Sequence, residues 1–210
     1  MILVTGGCRS GKSEFAEQLV TKGHKGPWLY IATAKITDKE MEERVRRHRE
    51  RRSSRWDTYE ADENLESFLS SGEIQKYEGI LLDSVTTLVT NLLFEQIGEV
   101  DWEHFRFEDV DYGLEQQQIM EQFAALCRLC EKLPAVFVTD EIGLGVVPDT
   151  CLGRNFRDIL GSVNQYIAGL CEEVYFVISG IPVKIKGEPE GKQLDTASGL
   201  ADRGKDGRFL

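Results

Sequence analysis

The sequence has few of the residues on which many enzyme classes depend. Only three histidines occur among 210 residues, and their spacing is typical neither of a metal centre nor of a Ser-His-Asp triad. No apolar run approaches the ~20 residues that a membrane span needs. The first residues lack the basic and long apolar segments that direct export. These absences predict a cytoplasmic protein with no membrane span.

The sequence also lacks excess positive charge, since 25 Lys and Arg residues are outnumbered by 36 Asp and Glu residues and the formal net charge is −11. Such a chain is poorly suited to general binding of nucleic acids or membrane surfaces, which are anionic, so we expect neither as a partner. Five cysteines fit a reducing compartment better than a disulfide framework. Cys127 and Cys130 form a lone CxxC among leucines at helical spacing, which favours buried helix positions over a zinc or redox site.

Strand-like and helix-like segments alternate along the chain. The pattern predicts an α/β fold with a mostly parallel sheet, helices on both faces and a possible antiparallel edge strand at "PVKIK". We expect one domain over residues 1–186, followed by a polar, Gly-rich extension over 187–210. The predicted strands are 2–5, 27–33, 55–60, 79–83, 135–141, 174–179 and 182–186, and the predicted helices are 13–21, 38–53, 63–70, 86–97, 114–133 and 155–173.

A phosphate-binding loop follows the first strand. The residues match G-x-x-x-x-G-K-[ST] in full, in a context of apolar strand before and amphipathic helix after. Glycines allow backbone N–H groups to converge on phosphate oxygens, the lysine reaches the β and γ phosphates, and the serine can ligate Mg²⁺. The predicted nucleotide-binding residues are Gly6, Gly7, Cys8, Arg9, Ser10, Gly11, Lys12 and Ser13, with Lys12 also catalytic and Ser13 also a metal ligand.

Carboxylates end two of the predicted buried strands. Asp83 ends "ILLD", and Asp140 and Glu141 end "VFVTDE". Ligands of open α/β sheets bind at the carboxyl ends of the strands. Either group could therefore hold Mg²⁺, directly or through water, and the sequence leaves the choice between Asp83 and Glu141 open.

Arginine is concentrated in one predicted helix. Seven of the fourteen arginines lie between Arg44 and Arg55, and His48 lies among them. His48 shares a helical face with Met41 and Val45. The arginines could form a solvated face paired with glutamates, but three glutamates cannot pair all seven. The excess favours a bound anion such as phosphate, or contact with another subunit.

Several motifs occur in a characteristic order: "ILVTGGCRSGKSEFAE", "LYIATAKITDKEMEERVRRHRERR", "W-x-T-x-E", "ILLDSVTTLVTNLLFE", "VFVTDEIGLGVVP", "NFRDILGSVNQ" and "VYFVISGIPVKIK". Together they resemble the bifunctional adenosylcobinamide kinase / adenosylcobinamide-phosphate guanylyltransferase family of cobalamin biosynthesis. The resemblance extends to about Lys186. It implies a RecA-like P-loop NTPase fold and a homo-oligomer, typically a trimer.

The resemblance also implies two reactions and their substrates. A nucleoside triphosphate, ATP or GTP, phosphorylates the aminopropanol hydroxyl of adenosylcobinamide. GTP then transfers GMP to that phosphate through a GMP-histidine intermediate, and the matching residue is His48. Further nucleotide-binding residues implied in this way are Ala32, Thr33, Ala34, Arg49, Glu50, Arg51, Arg52, Glu60 and Asp83.

Three departures from the family pattern stand out. Some members have two consecutive histidines where this chain has Arg47 and His48, so the nucleophile implied here is unambiguous. Asp83 occupies a position where many members have glutamate, and residues 187–210 match no segment of the family. Two other interpretations remain open at this point: a P-loop small-molecule kinase without guanylyl transfer, and a non-enzymatic, nucleotide-dependent binding protein.

Overall fold

The computed structural model describes residues 1–35, 39, 43, 46, 50, 52–61, 65–98, 104–131 and 133–188. Its strands are β1 (Ile2–Gly6), β2 (Trp28–Ala32), β3 (Trp56–Glu60), β4 (Gly79–Asp83), β5 (Ala135–Asp140), β6 (Glu173–Ile178) and β7 (Ile181–Lys186). Its α-helices are α1 (Lys12–Thr21), α2 (Leu65–Ser70), α3 (Val85–Ile97), α4 (Tyr112–Cys130) and α5 (Cys151–Leu170), with short 3-10 helices at Gly72–Lys76 and Phe107–Asp109. The predicted 187–210 extension lies almost wholly outside the described residues.

The seven strands form one sheet in the order β3-β2-β4-β5-β1-β6-β7. Neighbouring strands run parallel except β6 and β7, which pair antiparallel. The predicted fold class, including the antiparallel edge, is therefore confirmed. The order places the carboxyl ends of β4, β5 and β1 side by side, so that residues far apart in sequence meet at one edge of the sheet.

Helices cover both faces of the sheet because alternate strand residues point to opposite sides. On one face, Val4 packs with Ala16 and Val20 of α1 in one apolar cluster. On the other face, Leu3 belongs to a larger cluster to which α2, α3, α4 and α5 contribute. Both faces of the central strands are thus buried, as their near-continuous apolar sequences predict.

The α5 helix begins four residues earlier than its periodicity predicts, at Cys151 rather than at residue 155. The hydroxyl of Thr150 accepts a hydrogen bond from Gly153 N at 3.1 Å, and such a cap stabilises the first turn. The periodic apolar face begins only after this turn, which explains the difference.

No helix in the described ranges is long and apolar enough to cross a membrane.

Candidate functional site: a phosphate loop and two strand-end carboxylates

The chain turns from β1 into α1 through the predicted phosphate loop. Gly6 is required by close approach, because a Cβ atom there would lie 2.4 Å from the carbonyl oxygen of Val177. Gly11 caps α1 with a φ of 95°, a conformation that glycine adopts without strain. The backbone N–H groups of the first turn of α1 therefore open onto the loop, as phosphate binding requires.

Two neighbouring segments hold this loop in place. Gly180, in the turn between β6 and β7, donates its N–H to the carbonyl of Ser10 at 2.8 Å. Glu141, just after β5, donates its N–H to the carbonyl of Gly6 at 3.1 Å. The loop is thus anchored on both sides by main-chain hydrogen bonds, which preorganise it for an anion.

Lys12 is buried at the base of the loop, with only 8% of its surface exposed. Its Nζ donates to the carbonyl of Gly7 at 2.9 Å and to Oδ1 of Asp140 at 2.7 Å. Asp140 in turn donates its N–H to Oγ1 of Thr86 at 2.7 Å. The predicted catalytic lysine is therefore held in position by a carboxylate before any phosphate binds.

The sequence points to Asp140 as one of two strand-end carboxylates but does not identify its partner. Residues of β5 pair with β1 so that Asp140 lies opposite Gly6, and this pairing brings its side chain to Lys12. Strand order cannot be read from a single sequence, so the contact could not be predicted. Thr86 and Gly180 carry no sequence signal that would have identified them as supports of the site.

Asp83 lies two strands away from β1, at the end of β4. Its Oδ2 accepts a hydrogen bond from the hydroxyl of Tyr30 at 2.8 Å. The register places Glu60, Ala32 and Asp83 in one row across the ends of β3, β2 and β4. Three predicted nucleotide-binding residues are therefore brought together on this row.

Thr33, the residue after β2, stabilises this row of strand ends by hydrogen bonds. Only 1% of its surface is exposed. Its hydroxyl donates to the carbonyl of Ser84 at 2.9 Å and accepts from Ser84 N at 2.7 Å. Its carbonyl accepts from the side chain of Asn91 at 2.8 Å. Thr33 thus connects the ends of β2 and β4. The predicted nucleotide-binding residue Ala34 follows Thr33 along the chain and is partly buried.

Of the predicted site arginines between Arg44 and Arg55, the structure describes only Arg52. Its side chain is only 5% exposed. Its guanidinium lies 3.2 Å from the ring centroid of Tyr30, and its Nε donates to Oε1 of Glu17 in α1 at 3.2 Å. A connected set of side chains thus runs from α1 through Arg52 and Tyr30 to Asp83. Arg52 packs against protein groups, so a role in nucleotide binding stays a prediction.

Tyr30→Phe should separate Asp83 from this connected set. Burial first, and then the Asp83 charge, raise the pKa of the Tyr30 hydroxyl well above its ordinary value, so it stays protonated and donates. Loss of the bond should lower the free energy of unfolding by about 1–2 kcal/mol. This contribution should be complete below about pH 10 and decline as the pH rises further, because the folded pKa is the higher one. Urea unfolding of both proteins at several pH values checks this, with Tyr166→Phe as the control.

Within the predicted arginine helix, 38–53, the structure describes six residues, of which Lys39, Glu43, Arg46 and Glu50 are helical. Arg52 and Ser53 are not helical, so the predicted end at residue 53 is wrong. Arg46 donates to Glu43 and, at 2.6 Å, to Glu50. Here the glutamate-paired interpretation is confirmed for Arg46, and the predicted site residue Glu50 contacts Arg46. The predicted residues His48, Arg49 and Arg51, like Asp38 at the start of the helix, lie outside the described residues.

Glu141 and Ser13 complete the predicted metal ligands. Ser13 lies in the first turn of α1. Oε1 of Glu141 accepts a hydrogen bond from Gly143 N at 2.6 Å. Among the described residues, no three His, Cys, Asp or Glu side chains form a group that could hold a metal ion. Mg²⁺ in nucleotide sites commonly takes one or two protein oxygens beside substrate phosphates, and the Ser13 hydroxyl and the Asp83 carboxylate are oxygen donors of that kind.

The CxxC residues are buried in α4, as predicted. Burial raises the pKa of the Cys127 and Cys130 thiols to about 12 and that of Cys171 to about 11. Thiolates react and thiols do not, so brief treatment of the native protein with iodoacetamide at pH 8 should spare these three. Cys8, which is exposed in the phosphate loop, should be alkylated, and more slowly with GTP present. Peptide mass spectrometry gives both results, and rapid loss of Cys127 would contradict them.

The predicted site residues thus form two groups along one edge of the sheet. The first group is the phosphate loop with Lys12, and the second is the row of Glu60, Ala32 and Asp83. A phosphate loop with an anchored lysine and a nearby strand-end carboxylate is the arrangement of proteins that bind nucleoside triphosphates. The choice among kinases, transferases and binding proteins is not decided by these groups alone.

Comparison with known families decides among a kinase, a transferase and a binding protein. The model of the cobinamide kinase / cobinamide phosphate guanyltransferase family matches residues 2–185. The chain belongs to this family. Every strand and helix described above falls within the match except Lys186, the last residue of β7. The two groups of site residues therefore lie within the family's own domain.

Curated relatives support the assignment. The bifunctional adenosylcobalamin biosynthesis protein CobU of Escherichia coli K12 is 45% identical over 188 residues, covering 89% of this chain and 99% of that protein. The CobU protein of Salmonella typhimurium is 44% identical over the same coverage. CobP of Pseudomonas aeruginosa is 36% identical over 89% of this chain and 98% of its own. All three are named as bifunctional biosynthesis proteins.

One solved structure, the flagellar accessory protein FlaH of Methanocaldococcus jannaschii, gives a TM-score of 0.46 at 13% identity, covering 89% of this chain and 77% of that one. A likeness at that level carries no functional argument.

Proposed function

We propose that the protein phosphorylates adenosylcobinamide and then transfers GMP from GTP to the phosphate, giving adenosylcobinamide-GDP. The observation that carries this proposal is family membership over residues 2–185, together with an intact phosphate loop whose lysine is already anchored. The proposal includes a trimer in the cytoplasm.

The first reaction uses the phosphate loop. The loop N–H groups and Lys12 hold the triphosphate while the acceptor hydroxyl oxygen attacks the γ-phosphorus. The bond to the β,γ-bridging oxygen breaks, its electrons leave with the nucleoside diphosphate, and the hydroxyl proton passes to a nearby base or to water. Lys12 bonds to Asp140 at 2.7 Å, so bound phosphate must compete with that carboxylate, and the lysine charge is then available where negative charge develops.

The second reaction uses His48. A neutral imidazole nitrogen attacks the α-phosphorus of GTP, and pyrophosphate leaves. Neighbouring arginines offset the negative charge of the departing pyrophosphate. A phosphate oxygen of adenosylcobinamide phosphate then attacks the same phosphorus, the N–P bond breaks, and the imidazole is regenerated. The row of Glu60, Ala32 and Asp83 supplies further contacts to the nucleotide.

Mg²⁺ belongs to this proposal as the partner of the nucleotide. Ser13 at the start of α1 and Asp83 at the end of β4 would hold it, with phosphate oxygens filling most of its coordination sphere. Bound there, the ion neutralises charge on the transferring phosphoryl group.

The decisive experiment incubates the protein with Mg²⁺ and GTP labelled in the α-phosphate. Without acceptor, a labelled protein adduct that is stable in base and lost in acid is expected; added adenosylcobinamide phosphate should remove the label into a GDP-linked product. If no label stays on the denatured protein and no product forms, guanylyl transfer is wrong. Phosphorylation of adenosylcobinamide without either result would instead favour a simple P-loop kinase.

A further inference from the structure

A cavity of about 600 Å³ lies on the face of the sheet opposite α1, between α5 and strands β1, β6 and β7. Its floor is apolar, with Leu3 and Val174 from the sheet, and its wall on α5 carries the polar side chains Arg157, Asn164 and Gln165. Glu141 and Gly143 line it as well. Of the predicted site residues that the structure describes, only Glu141, a candidate metal ligand, lines this cavity.

The cavity reaches the phosphate loop through Glu141. The main chain of Glu141 bonds to Gly6 at 3.1 Å, and the preceding residue, Asp140, holds Lys12. A ligand whose end lies beside Glu141 therefore lies close to the place where a γ-phosphate would be bound. A larger cavity of about 790 Å³ lies beside Leu88 and Asn91, on the side of Thr33 rather than Lys12.

Thr5 marks the cavity as a binding site. The residue is one of those that line the cavity and is 9% exposed, and its Oγ1 is buried without a hydrogen-bond partner in the described part of the chain. A buried hydroxyl without a partner is costly. A bound ligand with an amide or hydroxyl group would supply the missing bond.

Small residues of α5 keep this space open. Gly161 and Ala168 are seven positions apart on one face of the helix and both line the cavity. A Cβ atom added at Gly161 would meet nothing within 4 Å. The helix thus exposes its backbone to the cavity at a point where a larger side chain would fit without a clash.

We propose that this cavity binds the hydroxyl-terminated aminopropanol arm of cobinamide and its neighbouring amide side chains, with the hydroxyl directed towards Glu141. An apolar floor with amide and guanidinium groups above it matches the amide-bearing edge of a macrocycle. The inference rests on the proposed kinase reaction and names the acceptor subsite of that reaction.

Gly161→Leu tests the proposal, because leucine fills the cavity and also favours a helix more than glycine does. With saturating nucleotide, its KM for cobinamide should rise about ten-fold or more, and its equilibrium dissociation constant for cobinamide should rise in parallel. Labelling by GTP, which needs no acceptor, should stay near the wild-type level. Gly169→Leu is the matched control: Gly169 lies in the same helix, a Cβ there also meets nothing within 4 Å, and it does not line the cavity.

Wild-type affinity for cobinamide in Gly161→Leu would overturn the proposal, and so would equal loss of affinity in both glycine variants. Should Gly161→Leu fail to fold, Gln165→Ala decides, since Gln165 is exposed and its loss should weaken cobinamide binding several-fold; an unchanged dissociation constant would then overturn the proposal. Direct binding of cobinamide is measured by equilibrium dialysis without nucleotide. A wild-type protein that binds cobinamide but transfers nothing would contradict the proposed function. The cavity assignment would still be supported if Gly161→Leu loses that affinity and Gly169→Leu keeps it.

Discussion

His48→Ala should abolish GMP labelling of the protein and reduce guanylyl transfer by at least about 10³-fold. The imidazole is the nucleophile of the proposed covalent route, and alanine offers no atom on which GMP can be carried. Phosphorylation of adenosylcobinamide should continue, because that step uses the phosphate loop and not the histidine. Acid lability of the label, followed by mass spectrometry of the peptide that contains residue 48, gives a direct measurement.

The other histidines provide matched controls for this prediction. His24 and His104 are exposed, and His24 Nδ1 lies 4.0 Å from Glu78 rather than near the phosphate loop. His24→Ala and His104→Ala should keep full labelling. Label remaining on His48→Ala protein would place the covalent step on another residue. Equal loss of kinase activity in His48→Ala would show that the substitution acts through the fold.

Lys12→Ala should reduce both reactions by about 10²–10³-fold, the usual effect of removing one group that stabilises charge in the transition state. Lys12 is buried, and its ammonium is positioned by Gly7 and Asp140. The variant also leaves the Asp140 carboxylate facing the loop without its cation, which opposes the triphosphate. The KM for nucleotide should therefore rise together with the fall in kcat.

Two further variants separate these effects. Lys22→Ala removes an exposed lysine just after the same helix and should behave as wild type. Lys12→Ala combined with Asp140→Asn should recover part of the nucleotide affinity but not the rate, because the opposing charge is gone while the missing cation is not replaced. Full activity of Lys12→Ala in both assays would contradict the assignment of the phosphate loop.

Much of the fold follows from the sequence because its signals are local. Periodicity identifies the buried strands, and the glycine spacing identifies the loop before α1. Periodicity does not predict where α5 begins, because the cap at Thr150 precedes the apolar face. The hydrogen-bond partner of Lys12 cannot be predicted from local sequence either, because the contact with Asp140 depends on β5 lying beside β1. Tyr30 reads as an ordinary buried strand residue, and only the structure places its hydroxyl on Asp83.

The predicted choice between Asp83 and Glu141 shows the same limit. Both carboxylates stand at the ends of apolar strands, so their sequence contexts do not distinguish their roles. In the structure Asp83 lies in a row with Glu60 and Ala32, while Glu141 lines the cavity beside α5. Their surroundings therefore favour different roles, which we propose to be nucleotide and metal binding for Asp83 and acceptor binding for Glu141.

The bond between Gly180 and Ser10 has a consequence for synthesis of the protein in the cell. The phosphate loop is made within the first thirteen residues, yet the turn that anchors it, and Val177 against which Gly6 packs, come near residue 180. A nascent chain therefore has the loop sequence long before it has a complete loop. Nucleotide binding should begin only after β6 and β7 have left the ribosome, and bound nucleotide should then stabilise both ends of the chain together.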